Sequence, residues 1–382
     1  MTASSSNEHR VLLVHPLGYD AAAAKGDISR VANLMPPLGQ ASIAAWLEHK
    51  GVGCDMIDCF AQPSADTRIV EHIRTYQPAF VGFTCTTSAF PDVARLARLV
   101  KQTRAQTQTV AGGPHVSALR EDVLRACDAL DYLVVGEGEA AMHALVTGGA
   151  DAPQEVPGLV YRDGDGQPAF TGFRARKQLL DLDDLPFPAY EKLEGYPDLY
   201  KLPIFNYPST PNASCISSRG CPYACSYCDR SVFCRSFRYN SAAYVYEHMK
   251  YMHTRWGIRH LNFYDDLFTF NRDRVQHLCR RLIDEPLGMT YNCAVRPDHV
   301  DADLLALMKR SGCWMISLGI ETGDEGLRAA HRDHGAALED MSRCIHEIHD
   351  AGIRVKGLLM LGLPGETEET FKRTMDYVFA LP

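Results

Sequence analysis

Long hydrophobic runs are absent from this sequence. Its start, MTASSSNEHR, has no apolar core of the kind that a secretion signal needs, and no later stretch approaches the roughly 18 apolar residues of a membrane helix. Long basic runs are absent as well, and 39 lysines and arginines stand against 47 aspartates and glutamates, for a net charge of −8. We therefore expect a cytoplasmic protein that neither spans a membrane nor binds nucleic acid.

The cysteines lack the density expected of a small secreted domain that is held together by disulfides. Thirteen of them are scattered through 382 residues, and no export signal accompanies them. This distribution favours free thiols and metal ligands over disulfides. Because single domains stop growing near about 250 residues, a chain of this length is expected to form two domains.

Five short β-branched runs alternate with amphipathic stretches in the first part of the chain. They are VLLVHP, CDMIDC, FVGFTC, QTVAGG and YLVVGE. Strands that alternate with helices are typical of a parallel sheet covered on both faces, and five of them predict a flavodoxin-like, doubly wound α/β domain. Ligands of such domains bind outside the carboxyl ends of the strands.

The fourth and fifth of these strands end in unusual residues. They are Gly112, Gly113, His115, Gly136, Glu137 and Gly138. Glycine at a strand exit allows a large ligand to approach the backbone. The simpler interpretation is a tight turn between strand and helix, and both interpretations stay open.

These exits carry a family resemblance. The segment AGGPHVS, followed by VVGEGEAAMHAL, resembles the cobalamin-binding domain that precedes the catalytic domain in many radical SAM enzymes. We assign residues 10–148 to this domain. The resemblance implies bound cobalamin, with Thr84, Thr86 and Ser88 after the third strand as candidates to contact the corrin or its tail.

A histidine ligand to cobalt is only partly indicated. In the best-known cobalamin domains the ligand lies in an Asp-x-His-x-x-Gly pattern, whereas this chain has His15-Pro-Leu-Gly18 with Leu13 in the place of the aspartate. Without a carboxylate to orient the imidazole, His15 is a weak candidate ligand. The resemblance therefore implies base-off cobalamin that lacks a protein imidazole.

Residues 149–213 differ in composition from the rest of the chain. Glycine, proline and aspartate become frequent, and VYRDGDGQPAF has the pattern of a hairpin with an Asp-Gly turn. We expect a linker that carries a small hairpin. Its many aromatic side chains favour packing over a substrate path.

The remaining residues, 214–382, repeat a strand-then-helix pattern. We count five strands, SCISSRG, HLNFYDDLF, MTYNCAVR, WMISLGIE and RVKGLLMLGLPG, and five helices. This pattern predicts a partial (β/α) barrel, in which chemistry lies at the carboxyl ends of the strands. Radical SAM barrels usually have six such units, so the resemblance implies a barrel that is truncated after its fifth unit.

Three cysteines follow the first barrel strand in the segment CPYACSYC. Structural zinc needs four protein ligands, and Cys215 or Cys234 would have to complete such a site. Three thiolates can instead hold a 4Fe-4S cluster whose fourth iron keeps an open position. The spacing Cys221-x3-Cys225-x2-Cys228, which is the signature of the radical SAM superfamily, favours the cluster.

Further residues at strand ends match this family. Tyr227 is the aromatic residue before the last cysteine, and Asp266 in YDDLFTF offers a carboxylate to the amino group of S-adenosylmethionine (SAM). Glu321 in LGIETG matches a segment associated with the SAM ribose and carboxylate, and Arg296 is a candidate partner for a carboxylate. Salt bridges at the barrel rim are the alternative role for these charged residues.

The two resemblances together imply a function. A reduced cluster would cleave SAM into a 5′-deoxyadenosyl radical, and cobalamin would supply a methyl group for an unactivated carbon of a small-molecule or lipid substrate. An electron donor such as flavodoxin or ferredoxin is an expected partner. Alternatives are a radical rearrangement or oxidative cyclisation, as in the anaerobic magnesium-protoporphyrin cyclase, and a non-catalytic cofactor-binding fragment. A methylthiolating tRNA enzyme is disfavoured because the first domain lacks a second set of cluster cysteines.

Overall fold

The computed structural model describes residues 11–18, 34–61, 65–333 and 335–382. The described chain divides into two compact units. Unit 1 extends to Lys201 and includes Ser231–Phe233, and unit 2 comprises Leu202–Arg230 and Cys234–Pro382.

Unit 1 is built on parallel strands that match the five predicted from the sequence. They are Val11–His15 (β1), Cys54–Asp58 (β2), Phe80–Thr84 (β3), Gln108–Gly112 (β4) and Tyr132–Val134 (β5). Their order in the sheet is β2-β1-β3-β4-β5, and each neighbouring pair is parallel. This is the strand order of a flavodoxin-like sheet, with the switch in winding direction between β1 and β3.

Helices cover both faces of this sheet. The described ones are Leu38–His49 (α1), Ala65–Tyr76 (α2), Phe90–Thr103 (α3), Pro114–Leu119 (α4), Glu121–Ala126 (α5) and Gly138–Ala144 (α6). α1 and α6 pack on one face, whereas α2, α3, α4 and α5 pack on the other. Alternate strand residues enter the two hydrophobic cores, which explains why the strands are apolar without interruption.

The predicted hairpin is part of unit 1. Leu159–Arg162 (β6) and Pro168–Phe170 (β7) pair with each other, and β6 pairs antiparallel with β5. The sheet therefore has seven strands, and the described chain remains with unit 1 up to Lys201. This differs from the expected linker over 149–213, because the edge of β5 offers unpaired backbone groups that the hairpin can satisfy.

Unit 2 is built on a second parallel sheet. Its strands are Asn212–Cys215 (β8), His260–Phe263 (β11), Thr290–Val295 (β12), Cys313–Glu321 (β13) and Arg354–Leu359 (β14). They lie in sequential order, which is the order expected of a partial barrel. A small antiparallel pair, Ser218–Arg219 (β9) and Arg238–Tyr239 (β10), flanks the cysteine segment. The expected truncation of the barrel stays a prediction.

The helices of unit 2 include one that the sequence pattern did not reveal. They are Ala242–Trp256 (α7), Arg272–Asp284 (α8), Ala302–Arg310 (α9), Glu325–His331 (α10), Leu338–Asp350 (α11) and Glu368–Phe379 (α12). The unpredicted helix is α10, which has only seven residues and therefore shows little periodicity. The side chain of Asp324 caps it by accepting a hydrogen bond from the Leu327 N–H.

Two general expectations can be compared with the structure. No helix among the described residues is long and apolar enough to cross a membrane. The thirteen cysteines, all within the described ranges, form no disulfide with one another, and nine of them are buried.

Candidate functional site

The three cysteines of CPYACSYC lie on an irregular loop after β9. We call residues 221–228 the cysteine loop. Cys221 and Cys225 are half-buried and Cys228 is exposed, whereas the remaining cysteines, apart from exposed Cys234, are buried. The cysteine loop therefore carries sulfur atoms that an external metal cluster can reach.

Burial is the main influence on the protonation of two of these thiols, Cys221 and Cys228. Desolvation raises the pKa of both Cys221 and Cys228, and the nearby Asp266 carboxylate raises both further. A backbone N–H from Tyr223 opposes this effect at Cys221. Without a metal these two thiols are consequently protonated at neutral pH, and cluster binding would release their protons.

Zinc, with Cys215 or Cys234 as a fourth ligand, is the alternative to a cluster on the cysteine loop. Among the described residues, no three histidine, cysteine or acidic side chains gather around a point that would hold one metal ion. Cys215, one candidate for a fourth zinc ligand, is buried in β8 with its Sγ 3.6 Å from His248 Nδ1. Each thiolate of an iron-sulfur cubane binds a different iron, so cluster ligands need not meet at one point.

The two aspartates after β11 have different environments. Asp265 is buried and accepts hydrogen bonds from the Ser217 N–H (2.6 Å) and hydroxyl (2.5 Å), with the Arg274 guanidinium 4.0 Å away. This carboxylate therefore braces the chain just before the cysteine loop. Asp266 is exposed; partial desolvation and the Asp265 charge raise its pKa, while the Gly220 N–H lowers it. The exposed carboxylate is available to a cation.

Glu321 lies at the end of β13 in a strained conformation. Its φ is +61°, which non-glycine residues rarely adopt. Burial raises the pKa of its carboxyl, whereas the Arg332 charge and a hydrogen bond from the Tyr227 hydroxyl lower it. The structure thus brings together two residues that the sequence predicted separately, Tyr227 on the cysteine loop and Glu321.

Arg296 forms the salt bridge that was its alternative role. It is 5% exposed, and its Nε lies 3.0 Å from Asp298 Oδ1. Its guanidinium also stacks on the ring of Tyr223, 3.8 Å from the ring centre. Because Tyr223 belongs to the cysteine loop, this contact packs Arg296 against the loop. A contact between Arg296 and SAM stays a prediction.

Polar side chains follow β3 in unit 1. Thr84 ends the strand, and the exposed hydroxyls of Thr86 and Ser88 lie 3.1 Å apart. His115 is buried, stacks on Phe90 and has its Nδ1 3.2 Å from the Thr87 hydroxyl. Because burial lowers its pKa, the His115 ring is neutral. The hydroxyls at this strand exit fit a polar ligand.

Backbone conformation already accounts for two of the exit glycines, Gly113 and Gly136, whose φ values are +104° and +84°. A Cβ on Gly113 would also lie 3.0 Å from the Cys85 carbonyl oxygen. A Cβ on Gly138 would lie 2.5 Å from Ile43 Cδ1. In space alone, Gly112 and Gly136 have room for a methyl group, with the nearest protein atom 3.4 Å away in both cases. Ligand approach therefore remains a separate prediction for Gly112, Gly136 and Glu137.

His15 has a carboxylate partner that the sequence pattern did not reveal. Its Nδ1 lies 2.9 Å from Asp58 Oδ1, and the Tyr200 hydroxyl donates to Asp58 Oδ2 at 3.0 Å. Asp58 is 43 residues away in sequence, but it pairs with His15 because both end adjacent parallel strands. The physical argument against His15 as a ligand, the lack of an orienting carboxylate, is therefore wrong.

Known proteins share both units. The B12 binding domain matches residues 24–146, and the radical SAM superfamily matches residues 215–378. The chain is 27% identical over 370 residues to an uncharacterized methyltransferase of Pyrococcus horikoshii, an alignment that covers 96% of this chain and 77% of that protein. It is 28% identical over 373 residues to the anaerobic magnesium-protoporphyrin IX monomethyl ester cyclase of Rubrivivax gelatinosus, with 96% and 64% covered.

A solved structure has the same fold. The radical SAM methyltransferase TsrM of Kitasatospora setae, with cobalamin and a [4Fe-4S] cluster bound, aligns with 98% of this chain and 73% of its own, with a TM-score of 0.78 and 18% identity. The chain spans less than two thirds of the cyclase but about three quarters of the two methyltransferases. With a B12 binding domain and a radical SAM domain in one chain, this protein belongs to the cobalamin-dependent radical SAM enzymes, whose cofactors are a 4Fe-4S cluster, SAM and cobalamin.

Proposed function

We propose that this protein is a methyltransferase that modifies an unactivated carbon of a small-molecule or lipid substrate. The observation that carries the proposal is the accessible three-cysteine loop in unit 2, in a chain that also has a B12 binding domain. The chain covers 77% of the relative that is named an uncharacterized methyltransferase and 64% of the cyclase. This difference favours methyl transfer over cyclisation.

The residues for the cluster and SAM follow from the site. Cys221, Cys225 and Cys228 would hold three irons of the cluster and leave the fourth iron to SAM. Asp266, exposed and carboxylic, would accept the SAM ammonium, and Glu321 would bind SAM near its ribose. When bound, the cofactors supply the reductive cleavage of a carbon–sulfur bond and a methyl group for transfer.

The protein's own contribution is orientation and charge. A charge-assisted hydrogen bond from the SAM ammonium to Asp266 is roughly twice as strong as a neutral one, and it fixes one end of the molecule. The ammonium would also lower the raised pKa of Asp266, so that binding keeps the carboxylate charged. The Arg332 charge and the Tyr227 hydroxyl similarly lower the raised pKa of Glu321, which favours its charged form.

Cobalamin would bind at the strand exits of unit 1. Thr84, Thr86 and Ser88 offer hydroxyls there, and Gly112 and Gly136 leave room for a ligand near the backbone. We propose these residues as contacts of the corrin or its tail. A small-molecule substrate and a one-electron donor protein, such as flavodoxin or ferredoxin, complete the proposed set of partners.

The proposal is tested by anaerobic reconstitution with iron, sulfide and cobalamin. The loaded protein is incubated with methyl-labelled SAM, a one-electron reductant, and fractionated small-molecule and lipid extracts. We expect S-adenosylhomocysteine and a labelled product in one fraction, and neither with the Cys221→Ala/Cys225→Ala/Cys228→Ala variant. Loaded protein that turns over no SAM in any fraction would contradict the proposal.

Radical cyclisation is the second candidate, because the cyclase of Rubrivivax gelatinosus aligns with 96% of this chain. Its products would differ from those of methylation. Formation of 5′-deoxyadenosine without S-adenosylhomocysteine in the same assay would favour this candidate. A non-catalytic cofactor-binding protein would bind cobalamin and yield neither product.

A further inference from the structure

A three-residue segment at the carboxyl end of the unpredicted helix α10 contacts several parts of the radical SAM site. We call His331, Arg332 and Asp333 the HRD segment. All three residues are partly buried, and together they contact three elements of unit 2. No function proposed above uses them.

The HRD segment accepts backbone hydrogen bonds from the cysteine loop. Asp333 Oδ2 accepts the Ala224 N–H at 2.7 Å, and the His331 carbonyl accepts the Ser226 N–H at 2.9 Å. Ala224 lies between the first and second cysteines, and Ser226 lies between the second and third. One N–H in each spacer is therefore held by the same short segment.

These bonds matter because the cysteine loop has no regular secondary structure. Its internal backbone bonding includes one turn, from the Cys228 N–H to the Cys225 carbonyl at 3.2 Å. Loops without ladder bonds depend on side-chain and segment contacts for a single conformation. The HRD segment supplies two such contacts, directly beside the three thiols.

The ring of His331 extends the connection to a second loop. Its Nε2 lies 2.8 Å from the Pro364 carbonyl oxygen, which can only accept, so Nε2 carries the proton. The other ring nitrogen, Nδ1, lies 2.8 Å from the Ser226 hydroxyl, within hydrogen-bond distance. His331 thereby joins the cysteine loop to the turn after β14, residues 361–367, which we call the LGLPGET turn.

The middle residue reaches the SAM side of the site. The Arg332 guanidinium donates to the Gly319 carbonyl on β13, and its charge lowers the pKa of Glu321. The three consecutive residues thus connect the cysteine loop, the end of β13 and the turn after β14.

We infer that His331 and Asp333 are positioning residues, which hold the cysteine loop in one arrangement relative to Glu321 and the LGLPGET turn. The inference rests on the cluster and SAM assignments made under the proposed function. Through these contacts the segment would set the position of the cluster, and of its open iron, relative to the SAM site. Neither residue is proposed to touch the reacting atoms.

Two substitutions of Asp333 separate hydrogen bonding from charge. Asp333→Asn keeps an oxygen acceptor for the Ala224 N–H, whereas Asp333→Ala removes it. The nearby Arg235 is 3.6 Å from Asp333 and largely exposed, so loss of the charge alone should matter little. We expect about tenfold weaker SAM binding in Asp333→Ala and near wild-type binding in Asp333→Asn.

The measurement is electron paramagnetic resonance of the reduced cluster, with and without SAM, on reconstituted full-length protein. We expect Asp333→Ala to bind iron but to need about tenfold more SAM for the spectral change. Asp340→Ala, on the exposed face of α11, is the control. An unchanged SAM titration in folded Asp333→Ala protein would overturn the inference.

The His331 bridge is tested with Ser226→Ala and His331→Ala, alone and together. If the ring acts through Ser226, each single variant raises the KM for SAM and the double variant raises it little further. Fully additive effects would show that the two residues do not act as a unit and would overturn this part. Failure of the cluster assignment is recognised separately, because iron would then still bind the triple Cys→Ala variant.

Discussion

The two units present their candidate sites in different ways. In unit 2 the predicted donors, Cys221, Cys225 and Cys228, are half-buried or exposed, whereas nine of the thirteen cysteines are buried. In unit 1 the predicted ligand cradle is made of glycines, and two of these, Gly113 and Gly136, are required by their own positive φ values. Donor chemistry can therefore be recognised locally, whereas a cradle cannot be separated from ordinary turn geometry by sequence.

The comparison also extends to the supporting residues. Asp265 and the HRD segment in unit 2, and Asp58 in unit 1, act on residues that are distant in sequence. In both units the sequence did not predict these contacts, through which other residues hold the candidate site residues or the chain beside them. The experiments below test how far the residues at each site can be assigned to cofactors.

The largest effect is expected for the cysteine loop. Cys225→Ala removes one of three ligands, so the protein should no longer hold a 4Fe-4S cluster. Iron and sulfide content and visible absorption after anaerobic reconstitution measure this. Cys234→Ala is the control, since Cys234 is an exposed cysteine that lies close in sequence but outside the cysteine loop. Equal cluster loss in both variants would contradict the assignment of the cluster to the cysteine loop alone.

A smaller but still large effect is expected for Asp266. Asp266→Asn removes the charge that would bind the SAM ammonium, and SAM affinity should fall about ten- to hundredfold. Because the pKa of Asp266 is raised, wild-type affinity should weaken as pH falls through that raised value, at a higher pH than for an ordinary aspartate. The variant should lack this dependence.

Anaerobic SAM titrations of cluster-loaded protein at several pH values measure both effects. Asp273→Asn, in the exposed first turn of α8, serves as the control and should resemble the wild type. A pH dependence that persists in Asp266→Asn would assign it to another group.

The fold was predictable because its signals are periodic. All five parallel strands of unit 1 and all five of unit 2 overlap the apolar runs that predicted them. Helix α10 was missed because seven residues hold fewer than two helical turns, and too few apolar positions repeat. The hairpin was predicted, but its pairing with β5 depends on an edge that a local pattern does not contain.

The site was predictable only where residues close in sequence act together. The cysteine loop and the YDDLFTF and LGIETG segments are continuous, so their spacing carries information. By contrast, Asp58 meets His15 across 43 residues, and Asp333 meets Ala224 across 109. Such contacts depend on strand order and helix placement, and a single sequence contains no local signal for them.

Gly112 and Gly113 give a direct test of the cradle in unit 1. Gly113 has φ +104° and ψ −170°, a region that is essentially restricted to glycine, so Gly113→Ala should cost about 2 kcal/mol of unfolding free energy. Gly112→Ala meets only an ordinary contact at 3.4 Å and should change stability by less than about 0.5 kcal/mol. Urea unfolding measures both values.

Corrinoid binding then separates ligand approach from packing. If cobalamin lies against Gly112, the added methyl group should weaken binding about tenfold although the fold is unaffected. Absorbance titration with hydroxocobalamin measures this affinity. Unchanged affinity in Gly112→Ala protein would leave the turn as the sole explanation of this glycine.

The smallest effect is expected for His15, whose bond to Asp58 ties β1 to β2. His15→Ala should lower the free energy of unfolding by about 1 kcal/mol, since Asp58 keeps its bonds from Tyr200 and the Phe60 N–H. If cobalamin binds base-off without a protein imidazole, the cob(II)alamin resonance spectrum should lack nitrogen splitting in both wild type and variant. A splitting that disappears in His15→Ala would instead make His15 the ligand. The bond to Asp58 would then orient the His15 imidazole toward cobalt, as a carboxylate that binds the other ring nitrogen does for many metal-binding histidines.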